Sequence, residues 1–181
     1  MTIYTLDSPH FELFGRIISG SALVEMGLKI TISGMLHSHQ TFVHVLTAPY
    51  NSIDLYNVSK SMAKLYYQEG DKHRDELVGL IGRYKGHSRL RNHIAHAFWV
   101  PGSRDKSIRP ASMSVREGHA SGKGFSADEP DYTLTELEEA ARDLSNLYTD
   151  LKDFLNRSGL AASIAENMAD ATDETEASDG A

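Results

Sequence analysis

Arg91-Asn92-His93-Ile94-Ala95-His96, with Phe98 and Trp99 just beyond, is the one run in this chain whose residue types and spacing look like chemistry. An arginine remains cationic at any working pH, and an imidazole exchanges protons near neutrality. Both fall near the end of a helical segment, so their side chains are expected to project toward one substrate as a phosphate-cleaving pair. The alternative is a hydrogen-bonded pair that only fixes the helix.

The elements that would position this run follow from periodicity. Leu77, Leu80/Ile81, Tyr84, His87, Arg91 and Ile94/Ala95 lie on one helical stripe, which predicts a buried helix beneath the run, bent at Gly86. Ahead of it, Ser8-Pro9 is a helix start, and Phe11, Phe14, Ile17, Ile18, Val24, Leu28, Ile32, Met35 and Leu36 carry a long amphipathic helix to Leu36. Gly20, Gly27 and Gly34 recur at sevens along it, a seam for close helix packing within the fold or across a dimer. Glu25, in its middle, is expected to face solvent. His37 to Asn51 reads as a loop with one short turn at Phe42 to Leu46, after which Ser52 is expected to cap a second helix ended by Gly70-Asp71.

Beyond the run, Pro101-Gly102 stops the chain. Alternation at Ser112 to Glu117, with Gly118, Gly122 and Gly124 after it, predicts a β-hairpin. Thr133-Leu134-Thr135-Glu136 is a capping-box pattern opening a strongly periodic helix to Arg157, which Gly159 stops. The expectation is an all-α fold, a helical bundle of about four main helices with a small β-hairpin inserted before the last. A single domain is expected over residues 1–159, with a disordered acidic tail over 160–181.

Composition narrows the chemistry. No cysteine is present among the 181 residues, which excludes disulfides, a thiolate nucleophile and cysteine-built zinc sites. The first residues lack a basic stretch followed by an apolar run, and no run of about eighteen apolar residues is evident. A cytoplasmic protein is expected. The net charge of -7 is unevenly spread: Lys72 to Lys123 holds 11 Lys/Arg against 4 Asp/Glu, and Asp128 to Ala181 holds 3 against 15. A phosphate-bearing ligand suits the first of these segments. His37, His39 and His44, or His93 with His96, could ligate a metal, but no diagnostic third-ligand spacing occurs, and none is expected.

Arg91-Asn92-His93-Ile94-Ala95-His96 resembles the defining motif of HEPN domains (higher eukaryotes and prokaryotes nucleotide-binding), and the order of helices from Phe11 to Arg157 is similar as well. The resemblance implies a metal-independent endoribonuclease, without cofactor, that acts on single-stranded RNA as a homodimer with its two motifs opposed. Many such proteins are toxins of toxin–antitoxin or phage-defence systems, so a protein antitoxin is an implied partner. It assigns His96 as general base, or as acid in the partner copy, Arg91 as stabiliser of phosphate charge, Asn92 as an orienting group, and Arg89 and His93 as supplementary substrate contacts. Some members carry a modified tyrosine two residues after the histidine; Phe98 stands there, which excludes that form of control. A catalytically inactive HEPN-like dimer that binds nucleotide or RNA, or serves as an assembly module, is the alternative, and a histidine-rich metal-binding bundle is a third. Phe98, Trp99 and Tyr84 are expected in the core rather than as stacking platforms.

Overall fold

The computed structural model describes residues 6–111 and 130–167. Helices α1 (Ser8–Leu36), α2 (Gln40–Thr47), α3 (Ser52–Tyr66) and α4 (Lys72–His96) are followed by strands β1 (Phe98–Pro101), β2 (Ser107–Ala111) and β3 (Tyr132–Thr133), then by helix α5 (Leu134–Arg157). A last helix, α6, covers 160–167. The expected all-α class with a small antiparallel element before the last long helix is observed. The strands differ in place. Phe98 pairs with Ala111 and Pro101 with Ile108, while Ile108 pairs with Tyr132 in a three-stranded sheet of order β1-β2-β3. The hairpin expected at Ser112 to Phe125 lies outside the described residues.

The chain divides into two compact units. One comprises Met1–Ser21 and His87–Leu144, the other Ala22–Gly86 and Ser145–Ala181. Helices α1, α4 and α5 each contribute one end to each unit.

In the first unit Leu13, Phe14, Ile17, Leu90, Ile108, Leu137, Ala141 and Leu144 are buried. The capping box is formed as the sequence implies: Glu136 N–H donates to Thr133 Oγ1 (3.3 Å) and Thr133 N–H to Glu136 Oε2 (2.8 Å). Arg104 holds the same carboxylate with both terminal nitrogens, at 2.9 and 2.6 Å. That guanidinium, with the Thr133 amide, brings Glu136 down to a pKa of about 2. Asp131 accepts from the Ser103 hydroxyl (2.6 Å) and the Arg104 amide (3.0 Å), contacts that hold its carboxyl below the usual range and fasten the β1–β2 turn. A Cβ at Gly102 would come within 2.1 Å of Ser107 Oγ and 2.9 Å of Asp131 Cγ, so any larger residue there must displace the side chains that fasten this turn.

In the second unit Val24, Leu28, Ile32, Leu55, Ala63, Leu77, Ile81, Tyr84, Leu147, Leu151 and Phe154 are buried. Asn51, not Ser52, caps α3, in a reciprocal box with Asp54. The Ser52 hydroxyl is drawn instead to Glu25 Oε1 (2.9 Å), which also accepts from the Tyr84 hydroxyl (2.6 Å). Glu25 is therefore a half-buried structural acceptor rather than a solvent-facing residue. The tail expected to be disordered from residue 160 begins as α6: Leu160 and Ile164 are buried, and both pack against Gly34. Gly159, at φ +79, makes the preceding helix stop as expected. Residues 168–181 lie outside the described residues.

The glycine seam is filled from within the fold. A Cβ at Gly20 would lie 3.1 Å from Leu144 Cβ in the first unit, and one at Gly27 would lie 3.4 Å from Leu151 Cδ1 in the second. The seven-residue glycine repeat thus meets a seven-residue leucine repeat. Helix α1 has the length and hydropathy (1.2 over its best window) to cross a membrane, but 56% of that window is buried in the protein, as in a core helix.

Candidate functional site

The apolar stripe of α4 ends before the motif. Leu77, Leu80, Ile81, Tyr84 and Leu90 are buried, whereas every residue from Arg91 to His96 is half-buried or exposed. The last two turns therefore leave the core and carry polar side chains toward solvent. This differs from the buried helix expected beneath Arg91, and the reason is compositional: after Leu90 only Ile94 and Ala95 remain to pack.

Arg91 and Asn92 are brought together, since Arg91 Nη1 donates to Asn92 Oδ1 at 3.2 Å. Among the described residues no carboxylate neutralises Arg91, and His96, fully on the exposed side, makes no hydrogen bond or ion pair. Arg91 and His96 do not touch. Five residues at 3.6 per turn separate two side chains by roughly 140° around the axis, so the pair flanks the helix instead of facing one point. Asn92 lies between these directions, one turn before His96, and joins the two flanks.

No protein-family model, curated protein or solved structure matches the chain.

The other assigned positions sit around this core of three. His93 is half-buried and Arg89 exposed, both on the flank of Asn92 and His96 by helical spacing. On the Arg91 flank is a pair that sequence reading did not single out. His87, one turn earlier, donates from Nε2 to Asp143 Oδ2 at 2.6 Å, with side-chain exposures of 18% and 40%. His87 was visible on the stripe, but Asp143 gave no local signal, because its role depends on the packing of α5 against α4 in this unit. The positive segment noted in the sequence is sharpest here: no Asp or Glu occurs between Leu77 and Arg104, where Arg83, Lys85, Arg89 and Arg91 all lie. Arg83 is matched by Asp150 from α5, whereas Arg91 has no carboxylate partner among the described residues.

Of the three aromatic residues expected in the core, one is there, one is half-buried and one is exposed. Tyr84 is in the core, at 1% exposure. Trp99 is half-buried, with its ring 4.8 Å from Phe14 and 5.9 Å from Tyr132. Phe98, the first residue of β1, is 66% exposed and not core. For metals, no group of three or more His, Cys, Asp or Glu able to hold an ion occurs among the described residues.

Proposed function

We propose that this chain is a metal-independent endoribonuclease of the HEPN type, acting in the cytoplasm on single-stranded RNA as a homodimer. A toxin–antitoxin or phage-defence setting, with a protein antitoxin as partner, belongs to the same reading. The observation that carries it is the state of Arg91: an accessible guanidinium, uncompensated by a carboxylate and joined to Asn92, on the same helix end as a solvent-exposed His96.

RNA supplies its own nucleophile, so the protein's tasks are proton transfer and charge stabilisation. His96 takes the 2′-hydroxyl proton as the 2′-oxygen attacks phosphorus. Arg91 meets the negative charge that grows on the non-bridging oxygens, with two donors on one face of its fork. The bond to the 5′-oxygen breaks, that oxygen receives a proton from a second acid, and a 2′,3′-cyclic phosphate remains. The divergence of Arg91 and His96 fits a site completed by a second copy, whose His96 is then the acid.

The test is incubation of the purified protein with single-stranded RNA in excess EDTA. Cleavage with cyclic phosphate ends is expected, and it should vanish in His96→Ala and in Arg91→Ala while circular dichroism is unchanged. Undiminished cleavage by both variants overturns the assignment. The same divergence favours a second reading, an inactive HEPN-like module that binds RNA or nucleotide, and RNA binding without any cleavage by the unaltered protein would select it.

A further inference from the structure

Beside the motif the first unit carries an open groove of about 670 Å³, lined by Phe11, Phe14 and Ile18 of α1 with Ile94 of α4, Phe98 and Trp99. Its walls are aromatic to an unusual degree. Phe11 is 59% exposed and Phe98 66%, while Phe14 stands behind, edge-on to Phe11 at 6.5 Å and tilted against Trp99 at 4.8 Å. The Trp99 indole N–H is buried and has no acceptor among the described residues, which is costly for a donor unless a ligand or water provides one.

We infer that this groove is a subsite for an unpaired nucleobase of the strand whose phosphate meets Arg91. The inference rests on the proposed reading of the α4 end as an RNA site. The chain supplies the two components that single-stranded nucleic acid requires, aromatic faces for bases and a cation for phosphate, within one short stretch: Arg91 precedes Phe98 and Trp99 by two helical turns. Ile94 and Ala97 line the groove while their neighbours Arg91 and His96 lie on the flanks of the same helix end, so a backbone whose phosphate meets Arg91 places its bases over the aromatic walls. The absence of any Asp or Glu from Leu77 to Arg104 suits a polyanion. A protein occupant is less well matched. Arg91, at the adjoining helix end and without a carboxylate partner among the described residues, matches a phosphate better than an apolar protein surface.

Trp99 is the chain's single tryptophan, which makes its fluorescence a direct reporter on the groove. A 2′-deoxy oligonucleotide about ten nucleotides long cannot undergo the 2′-hydroxyl reaction, and an abasic strand of equal length has the same charge without bases. The base-bearing strand should quench Trp99 saturably and bind about tenfold or more tightly than the abasic strand. Phe98→Ala and Phe11→Ala should remove most of that difference, and both rings are exposed enough for folding to persist. Equal binding of the two strands overturns the subsite, as does binding that leaves Trp99 emission unchanged or no binding by either strand. A dimer in sedimentation that shields Trp99 and is dissolved by Phe98→Glu also overturns it and assigns the groove to a second copy. Base-dependent binding by a protein that fails to cleave RNA in EDTA would remove the catalytic reading and leave this one standing.

Discussion

Arg83, in the first half of α4, and Arg91, in the second, are two arginines of one helix in opposite states. From Lys72 to Gly86 three polar side chains are answered by distant partners: Glu76 accepts from Arg157 Nη2 (2.6 Å), Arg83 Nη1 donates to Asp150 (2.6 Å), and the Tyr84 hydroxyl donates to Glu25 (2.6 Å). From His87 to His96 a carboxylate reaches His87, and Ser88, Arg89 and His93 also have partners, but Arg91 finds only the neutral Asn92 and the His96 side chain makes no polar contact among the described residues. The apolar pattern changes in step, with four buried apolar residues in the first half and Leu90 alone in the second. A charge already matched to a carboxylate has little attraction left for an anion; an unmatched one at the surface keeps it. In the first half Arg83 is spent on holding the helix, and in the second Arg91 keeps its charge for something outside the protein.

The sharpest way to break this contrast is to remove side chains from each half and read activity and stability separately. Arg91→Ala and His96→Ala should lower RNA cleavage by roughly 10²-fold or more, the scale of a positioned acid–base or oxyanion contact, with thermal unfolding unchanged. Leu77→Ala or Ile81→Ala, at positions with no exposure, should reverse the pattern. Each should cost about 2–5 kcal/mol of stability through lost burial and a residual cavity, with cleavage by the folded fraction unaltered. A large stability loss in Arg91→Ala would show that this guanidinium is structural and end the distinction.

The fold was largely legible because local signals agreed. The spacing of Phe14, Ile17, Val24, Leu28 and Ile32 set α1, the Thr133–Glu136 box set the start of α5, and Gly159 set its end. The departures arose where distant partners decide. Ser52 reads as a cap, but Glu25 lies 27 residues away and captures its hydroxyl, which leaves Asn51 to cap α3. Leu160 and Ile164 sit among alanines and acidic residues, and only the space at Gly34 makes them a helix face. At the site, residue types named Arg91, Asn92 and His96, but sequence spacing suggested convergence where helical geometry gives divergence. The aromatic groove was missed because Phe11 and Phe98 are 87 positions apart and appear individually as core residues.

Two smaller changes sharpen the contrast within the answered charges. Tyr84→Phe removes one of two donors to Glu25 Oε1 from a fully buried position and should cost about 1.5–3 kcal/mol, the scale of a hydrogen bond to a charged group, with no change in cleavage. Arg104 and Glu136 offer a pH test. The Glu136 carboxyl titrates at about 2 in the folded chain against an ordinary 4.5, so the stability it contributes is complete above about pH 4.5 and is lost as pH falls toward 2. Urea midpoints should therefore show Glu136→Gln less stable than the parent at pH 7, with the gap closing between pH 4.5 and 2.5. Arg91→Ala, which removes no ion pair, should track the parent throughout.

The smallest effect is expected at Gly86, where the two halves of α4 join. The helix is continuous through it, its φ is not left-handed, and a Cβ there would meet nothing within 4 Å. Glycine at such a position costs up to about 1 kcal/mol relative to alanine through backbone entropy alone. Gly86→Ala should therefore raise the urea midpoint slightly and leave RNA cleavage as it was. A stabilised protein that has lost cleavage would assign the flexibility of Gly86 to the site, and the division between a holding half and a reacting half would have to move one turn toward the N-terminus.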